Sequence, residues 1–149
     1  MYQASLAGVK IDLIIRGICK LIPGVKGMSD NIRVISILDK YLEHSRVMVF
    51  CNGGDERYFI SSADWMVRNL DNRIEVTTPI FDPEIQQELK QMLLIQLKDN
   101  TKARIIDKKM CNQYYTNGKE VVRAQIEIHK YLSAQHTNLD NQGKTNIKA

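Results

Sequence analysis

The sequence predicts a mixed α/β fold, a layered sheet flanked by helices. Three observations lead there. Short runs rich in β-branched residues recur at 9–15 (VKIDLII), 46–51 (RVMVFC), 57–61 (RYFIS), 73–78 (RIEVTT) and 102–107 (KARIID). Stretches with helical spacing of apolar residues stand between them. Clusters of Gly, Pro, Asn and Asp punctuate the boundaries.

Taken in order, YQASLAG reads as the last turns of a helix closed by Gly8, feeding straight into the buried strand 9–15. A helix end met so early is expected to belong to an αβ unit that begins upstream. Residues 22–30 (IPGVKGMSD) form a loop, with Ser29 or Asp30 placed to cap a following helix. Val34, Ile35, Leu38, Tyr41 and Leu42 have the spacing of that helix, while IRVISI at its start also allows a strand. The turn Asn52-Gly53-Gly54-Asp55 joins 46–51 to 57–61 as a hairpin. Asp82-Pro83-Glu84 is a helix start, with Ile85, Leu89, Met92, Leu93 and Leu97 on one apolar face. A last helix is expected over 119–133. Residues 134–149 are polar and expected to be a disordered tail. The expected domain therefore covers 1–133.

Length and composition suit one compact domain: 149 residues, 44% hydrophobic and 26% charged. No apolar run approaches the roughly 18 residues of a membrane span. The N-terminus lacks the pattern of a secretory signal. Cys19, Cys51 and Cys111 fit no metal or redox spacing, and an odd count argues against a disulfide framework. Reduced thiols in a cytoplasmic protein are expected. Net charge is +4, with −1 over residues 1–99 and +5 over 100–149. A basic half invites a polyanion, although a solvated Lys-bearing face explains it equally well. No RNP motif, zinc finger or aromatic-interleaved basic stripe supports nucleic acid, so no nucleic-acid partner is expected.

Arg16 ends the first buried strand, next to Gly17. Ligands of open α/β folds bind beyond the carboxyl ends of strands, where an arginine can fork onto phosphate oxygens. A structural ion pair is the commoner role of a lone arginine. His44 and Arg46 lie in YLEHSR; on an extended chain, positions two apart face one side. A boundary histidine without function is the plainer alternative. Ser61-Ser62-Ala63-Asp64 follows the hairpin, with Ser62 able to present an anion-facing turn and Asp64 able to orient a histidine. Ser62 as a mere cap, with Trp65 in the core, is the competing reading. Arg68, Asn72 and Glu75 are further polar groups downstream. His129 in a helix and His136 in the tail receive no role. No Walker A, HExxH or GxSxG pattern is present.

Four stretches, LIIRGICKLIPGVKG, SDNIRVISILDKYLEHSRVMVFCNGG, YFISSADWMVRNLDNRIEV and TPIFDPEIQQELK, together resemble the large bacterial polyphosphate kinases in order and spacing. Weaker similarity continues through KARIID and VRAQIEIHKYL, so the resemblance covers nearly all of 2–133. It implies the C-terminal catalytic domain of a four-domain transferase whose last two domains have a phospholipase D-like fold. Such an enzyme moves the terminal phosphate of ATP reversibly onto polyphosphate through a phosphohistidine in the preceding domain. The last domain supplies an arginine and a second histidine to the nucleotide phosphates, which match Arg16 and His44. Arg46, Ser62 and Asp64 are supporting candidates. The implied ligands and partners are ATP or ADP, inorganic polyphosphate and the enzyme's remaining domains, with a homo-oligomer at full length. Mg2+ is expected to arrive with ATP, its ligands in the preceding domain. These 149 residues alone are expected to be inactive, and the location to be cytoplasmic, with peripheral membrane attachment as a variant.

The phospholipase D pattern of His-x-Lys, Gly-Ser-x-Asn and a later acid reads here as His44-Ser45-Arg46, Ser61-Ser62-Ala63-Asp64 and Glu75. Arg for Lys, Ser for Gly and Asp for Asn fit the kinase branch better than a phosphodiesterase. Two rivals remain at this level: a phospholipase D-like phosphodiesterase half-site, and a non-catalytic polyanion-binding module using Lys102, Lys108, Lys109 and Lys119.

Overall fold

A computed structural model describes the backbone of residues 1–118 and 120–146, and the side chains of 1–118 and 120–135. The chain divides into two compact units, residues 1–41 with 95–149, and residues 42–94.

The first unit opens with α1 (Tyr2–Leu6). Gly8, at φ +88°, ends it as expected. The Gly8 and Val9 amides donate back to the Ser5 and Ala4 carbonyls, each at 3.0 Å, which is a Schellman closure. β1 (Ile11–Ile14) then pairs in parallel with β2 (Ile32–Ile37), and β2 pairs antiparallel with β6 (Ala103–Ile106). As the middle strand, β2 is buried at every position but Arg33. Its apolar run therefore reflects burial of both strand faces, so the helix over 34–42 gives way to the strand alternative. Ser29 caps no helix. Its buried hydroxyl donates to the Ile22 carbonyl at 2.7 Å and accepts the Val25 amide at 2.9 Å, folding the 22–29 loop. Asp30 accepts the Gly27 amide at 2.6 Å. The core holds Ile32, Val34, Ile35, Ile37, Ile95, Ala103, Ala124 and Ile128.

Asp99 is fully buried four residues ahead of β6. Its Oδ1 accepts the amides of Thr101, Lys102 and Ala103 at 2.9, 2.6 and 2.9 Å. Its Oδ2 accepts the Ala124 amide at 2.7 Å, the first residue of α4 (Ala124–Asn146). One carboxylate thus starts a strand and satisfies a helix N-terminus. Arg123 donates Nε and Nη2 to Asp39 at 2.8 and 2.6 Å, a forked pair that holds the Asp39 carboxyl below its usual range. α4 begins at 124 rather than 119, and its described backbone reaches Asn146, within the segment 134–149 expected to be a disordered tail. Residues 147–149 and the His136 side chain lie outside the described residues.

The second unit is an antiparallel meander of β3 (Val47–Phe50), β4 (Arg57–Ser61) and β5 (Thr77–Ile80), with β4 in the middle. A short 3-10 turn, Asn52–Gly54, closes the expected hairpin, with Gly53 and Gly54 at positive φ. The strand predicted at 73–78 forms further on, at β5. Between β4 and β5 lies the single turn α2 (Val67–Leu70). α3 (Pro83–Lys98) starts as predicted: Asp82 Oδ1 accepts the amides of Glu84 and Ile85 at 2.8 and 3.2 Å. On that helix Ile95 is the buried residue, while Ile85 is 49% exposed. The expected α/β class is therefore observed, with its strands divided between two three-stranded sheets. Among the described residues, no helix is long and apolar enough to cross a membrane.

Candidate phosphate site on the second unit

The meander explains why distant residues converge. β3 begins, β4 ends and β5 begins at the same end of the sheet. Pairing continues past the strands: Ser61 donates its amide to the Arg46 carbonyl at 2.8 Å, and Ser62 to that of Val76 at 3.0 Å. Residues 44–46, 61–64 and 75–77 are therefore neighbours at one sheet edge.

Asp64 is the hub. Its Oδ1 accepts Nε of Arg46 at 3.1 Å and lies 3.3 Å from Nε2 of His44. Nη2 of Arg68 is 3.8 Å from its Oδ2. The Arg46 guanidinium beside Asp64 holds its carboxyl below the usual carboxylate range. Nη2 of Arg46 also lies 2.7 Å from Nε2 of His44. The two contacts of Nε2 need opposite hydrogens, because Arg46 can only donate and Asp64 can only accept. The Arg46 contact is the shorter, so the bonded form has the Nε2 lone pair facing the guanidinium and its hydrogen on Nδ1. The extended-chain expectation that His44 and Arg46 share a side holds.

A second group stands beside this one. Ser62 Oγ donates to Glu75 Oε2 and accepts the Val76 amide at 3.0 Å. Asn69 Nδ2 donates to Glu75 Oε1 at 2.7 Å. Ser62, then Asn69, pull the Glu75 carboxyl below its ordinary range. Ser62 caps no helix, since α2 starts at Val67 without a side-chain cap, and Trp65 is 61% exposed rather than core. Sequence reasoning missed Asn69, which is buried at 3% exposure within a one-turn helix too short for any periodic pattern. Asn72, singled out from sequence, lies on the exposed surface.

Arg16 belongs to the first unit. It is exposed two residues past β1, beyond the carboxyl end of a parallel strand, as expected, and the Ile15 amide before it still donates to Ile35 at 2.8 Å. His129 is exposed on α4. The three cysteines are free thiols.

Among the described residues, no three His, Cys, Asp or Glu side chains are grouped to hold a metal. The two carboxylates at the sheet edge are already engaged, Asp64 with cations and Glu75 with Ser62 and Asn69. These residues do not fit a resident metal ion. The cluster presents cations and an imidazole, a set suited to phosphate oxygens.

The profile of the family "Polyphosphate kinase C-terminal domain 2" matches residues 1–125. The chain belongs to this family. It is 50% identical over 135 residues to the polyphosphate kinase of Escherichia coli K12, covering 90% of this chain and 20% of that protein. It is 56% identical over 133 residues to that of Vibrio cholerae serotype O1, covering 89% of this chain and 19% of that protein. The chain thus spans about one fifth of the curated relatives it matches. The crystal structure of the polyphosphate kinase from Porphyromonas gingivalis superposes with a TM-score of 0.89 at 52% identity. That overlay covers 92% of this chain and 21% of the solved one. The fold is that of a polyphosphate kinase C-terminal domain, and the phospholipase D-like class expected from the resemblance goes with it.

Proposed function

We propose that this chain contributes Arg16 and His44 to a polyphosphate kinase active site that moves the terminal phosphate of ATP reversibly onto polyphosphate. The observation that carries the reading is the His44–Arg46–Asp64 cluster in a chain of this family.

Phosphoryl transfer needs in-line positioning and neutralisation of the charge on the transferred group. Arg16 is a permanent cation able to fork onto phosphate oxygens. His44, with its hydrogen on Nδ1, has a donor for a phosphate oxygen of the nucleotide, while Arg46 and Asp64 set the ring. In the reaction proposed, a histidine nitrogen of the preceding domain attacks the terminal phosphorus. The new P–N bond forms as the bond to the ADP oxygen breaks. A terminal polyphosphate oxygen then attacks the same phosphorus, forming P–O as P–N breaks. Mg2+ is assigned to the nucleotide and the preceding domain, and these 149 residues alone are expected to be inactive. The proposed location is the cytoplasm, and the full-length enzyme is proposed to be a homo-oligomer.

The test is binding of ATP and long-chain polyphosphate to the chain, wild type beside Arg16→Ala/His44→Ala, at two salt concentrations. Loss of most affinity in the double variant supports the site. Equal binding by both proteins, abolished by salt, leaves only general charge and rejects it. Phosphodiester hydrolysis by the chain alone would favour the phosphodiesterase half-site instead. A parallel set of charge reversals at Lys102, Lys108 and Lys109 tests the polyanion module; Lys119 lies outside the described residues.

A further inference from the structure

Two guanidiniums share one carboxylate at the sheet edge, and they are held very differently. Arg46 is 27% exposed. It donates Nε to Asp64 at 3.1 Å, faces His44 Nε2 with Nη2 at 2.7 Å and reaches the His44 carbonyl with Nη1 at 3.4 Å. Withdrawing it would break several contacts and release His44. Arg68 is 62% exposed, four residues after Asp64. Nη2 stands 3.8 Å from Asp64 Oδ2 and Nε stands 3.4 Å from Asn69 Oδ1. Both contacts exceed the roughly 2.7–3.2 Å of a good N–H···O bond.

We propose that Arg68 is a phosphate-binding residue of this site: its guanidinium leaves Asp64 and turns onto an incoming phosphate, while Arg46 stays paired to Asp64 and His44 as a positioning residue. The inference rests on the reading that His44 faces phosphate. Arg46 and Arg68 beside Asp64, with Arg73 acting on Glu75, set three cations against two carboxylates, and that excess of one positive charge draws an anion to this edge. When Arg68 leaves, Asp64 keeps its bonded partner Arg46, so no carboxylate is stranded. A phosphate offers the planar fork two oxygens in place of one distant ion-pair contact. The anchor of Arg68 is fixed by α2, and its side chain has the length to sweep across the exposed edge.

The deciding experiment titrates the isotope-labelled chain with inorganic tripolyphosphate at low salt and reads the arginine Nε resonances. Arg68 Nε is expected to move and saturate, with Arg46 Nε nearly still. Arg68→Ala should weaken binding by about tenfold, and Arg68→Lys should restore part of it. Arg57→Ala, which removes an exposed cation paired with Asp55 on the same unit, should bind as wild type. If His44→Ala loses affinity while Arg68→Ala binds as wild type and Arg68 Nε stays still, the role of Arg68 is overturned and the site survives. If His44→Ala binds as wild type, or Arg57→Ala costs as much as Arg68→Ala, binding is general charge and both readings fall.

Discussion

Nη2 of Arg46 lies 2.7 Å from Nε2 of His44, and because a guanidinium can only donate, a hydrogen bond here requires Nε2 to accept. With Arg46 in place, Nε2 accepts and Nδ1 carries the hydrogen. Without it, the remaining neighbour of Nε2 is the Asp64 carboxylate at 3.3 Å, which favours a hydrogen on Nε2. Arg46→Ala should therefore reverse the neutral tautomer of His44. Imidazole 15N shifts on the alkaline side of its titration read this directly. An unchanged Nδ1–H tautomer in Arg46→Ala would show that the guanidinium does not set the ring.

Asp64 and Glu75 both titrate below their ordinary values of 3.8 and 4.5 in the folded chain. A carboxyl whose folded pKa is depressed contributes stability above its unfolded pKa and loses it as pH falls through the folded one. Thermal stability of the chain should be level with respect to these groups above about pH 5 and decline from the unfolded values downward. Asp64→Asn and Glu75→Gln should each flatten that acid limb and lower stability at neutral pH. Melting curves between pH 3 and 7 on the three proteins check it, and an acid limb of equal slope in all three would rule these carboxyls out as its source.

Much of the site was legible because its residues sit on a short meander. His44, Arg46, Ser62, Asp64 and Glu75 are each readable as polar residues within or beside β-type runs, and hairpin topology brings the ends of such runs together. Arg68 and Asn69 were harder, because their partners lie across a turn that follows no period. The fold was less legible where tertiary contacts supply the boundary. β2 carries an unbroken apolar run because both of its faces are buried, and such a run matches helix and strand templates alike. α4 starts at 124 because a carboxylate 25 residues earlier accepts its first amide, a cap with no trace in the adjacent sequence.

That carboxylate makes Asp99 a demanding polar residue of the first unit. Four backbone amides depend on it, and it has no solvent exposure. Asp99→Ala leaves buried donors without acceptors, each worth about 1–3 kcal/mol if water cannot replace the bond. Stability should fall by at least about 2 kcal/mol, measured by urea unfolding. Hydrogen exchange should accelerate first at the Ala103 and Ala124 amides. Asp99→Asn retains one acceptor oxygen and should lie between Ala and wild type. Wild-type protection of both amides in a folded Asp99→Ala chain would mean that other groups satisfy them.

Gly8 and Gly17 separate a conformational role from an approach role. Gly8 adopts φ +88°, and a Cβ there would meet nothing within 4 Å, so the cost of Gly8→Ala is wholly that of the backbone. About 1–2 kcal/mol is expected, with Gly8→Asn milder because Asn tolerates the left-handed region better. Gly17 has ordinary φ, and its Cβ would likewise meet nothing within 4 Å. Gly17→Ala should therefore leave stability within about 0.5 kcal/mol of wild type, or raise it slightly by restricting the unfolded chain. Gly17 also adjoins Arg16. If a phosphate approaches the backbone there, Gly17→Ala should weaken ATP binding while the melting temperature holds, and Gly8→Ala should lower the melting temperature while binding holds. Equal ATP affinity in Gly17→Ala and wild type would show that the ligand meets the Arg16 side chain without close approach to the main chain.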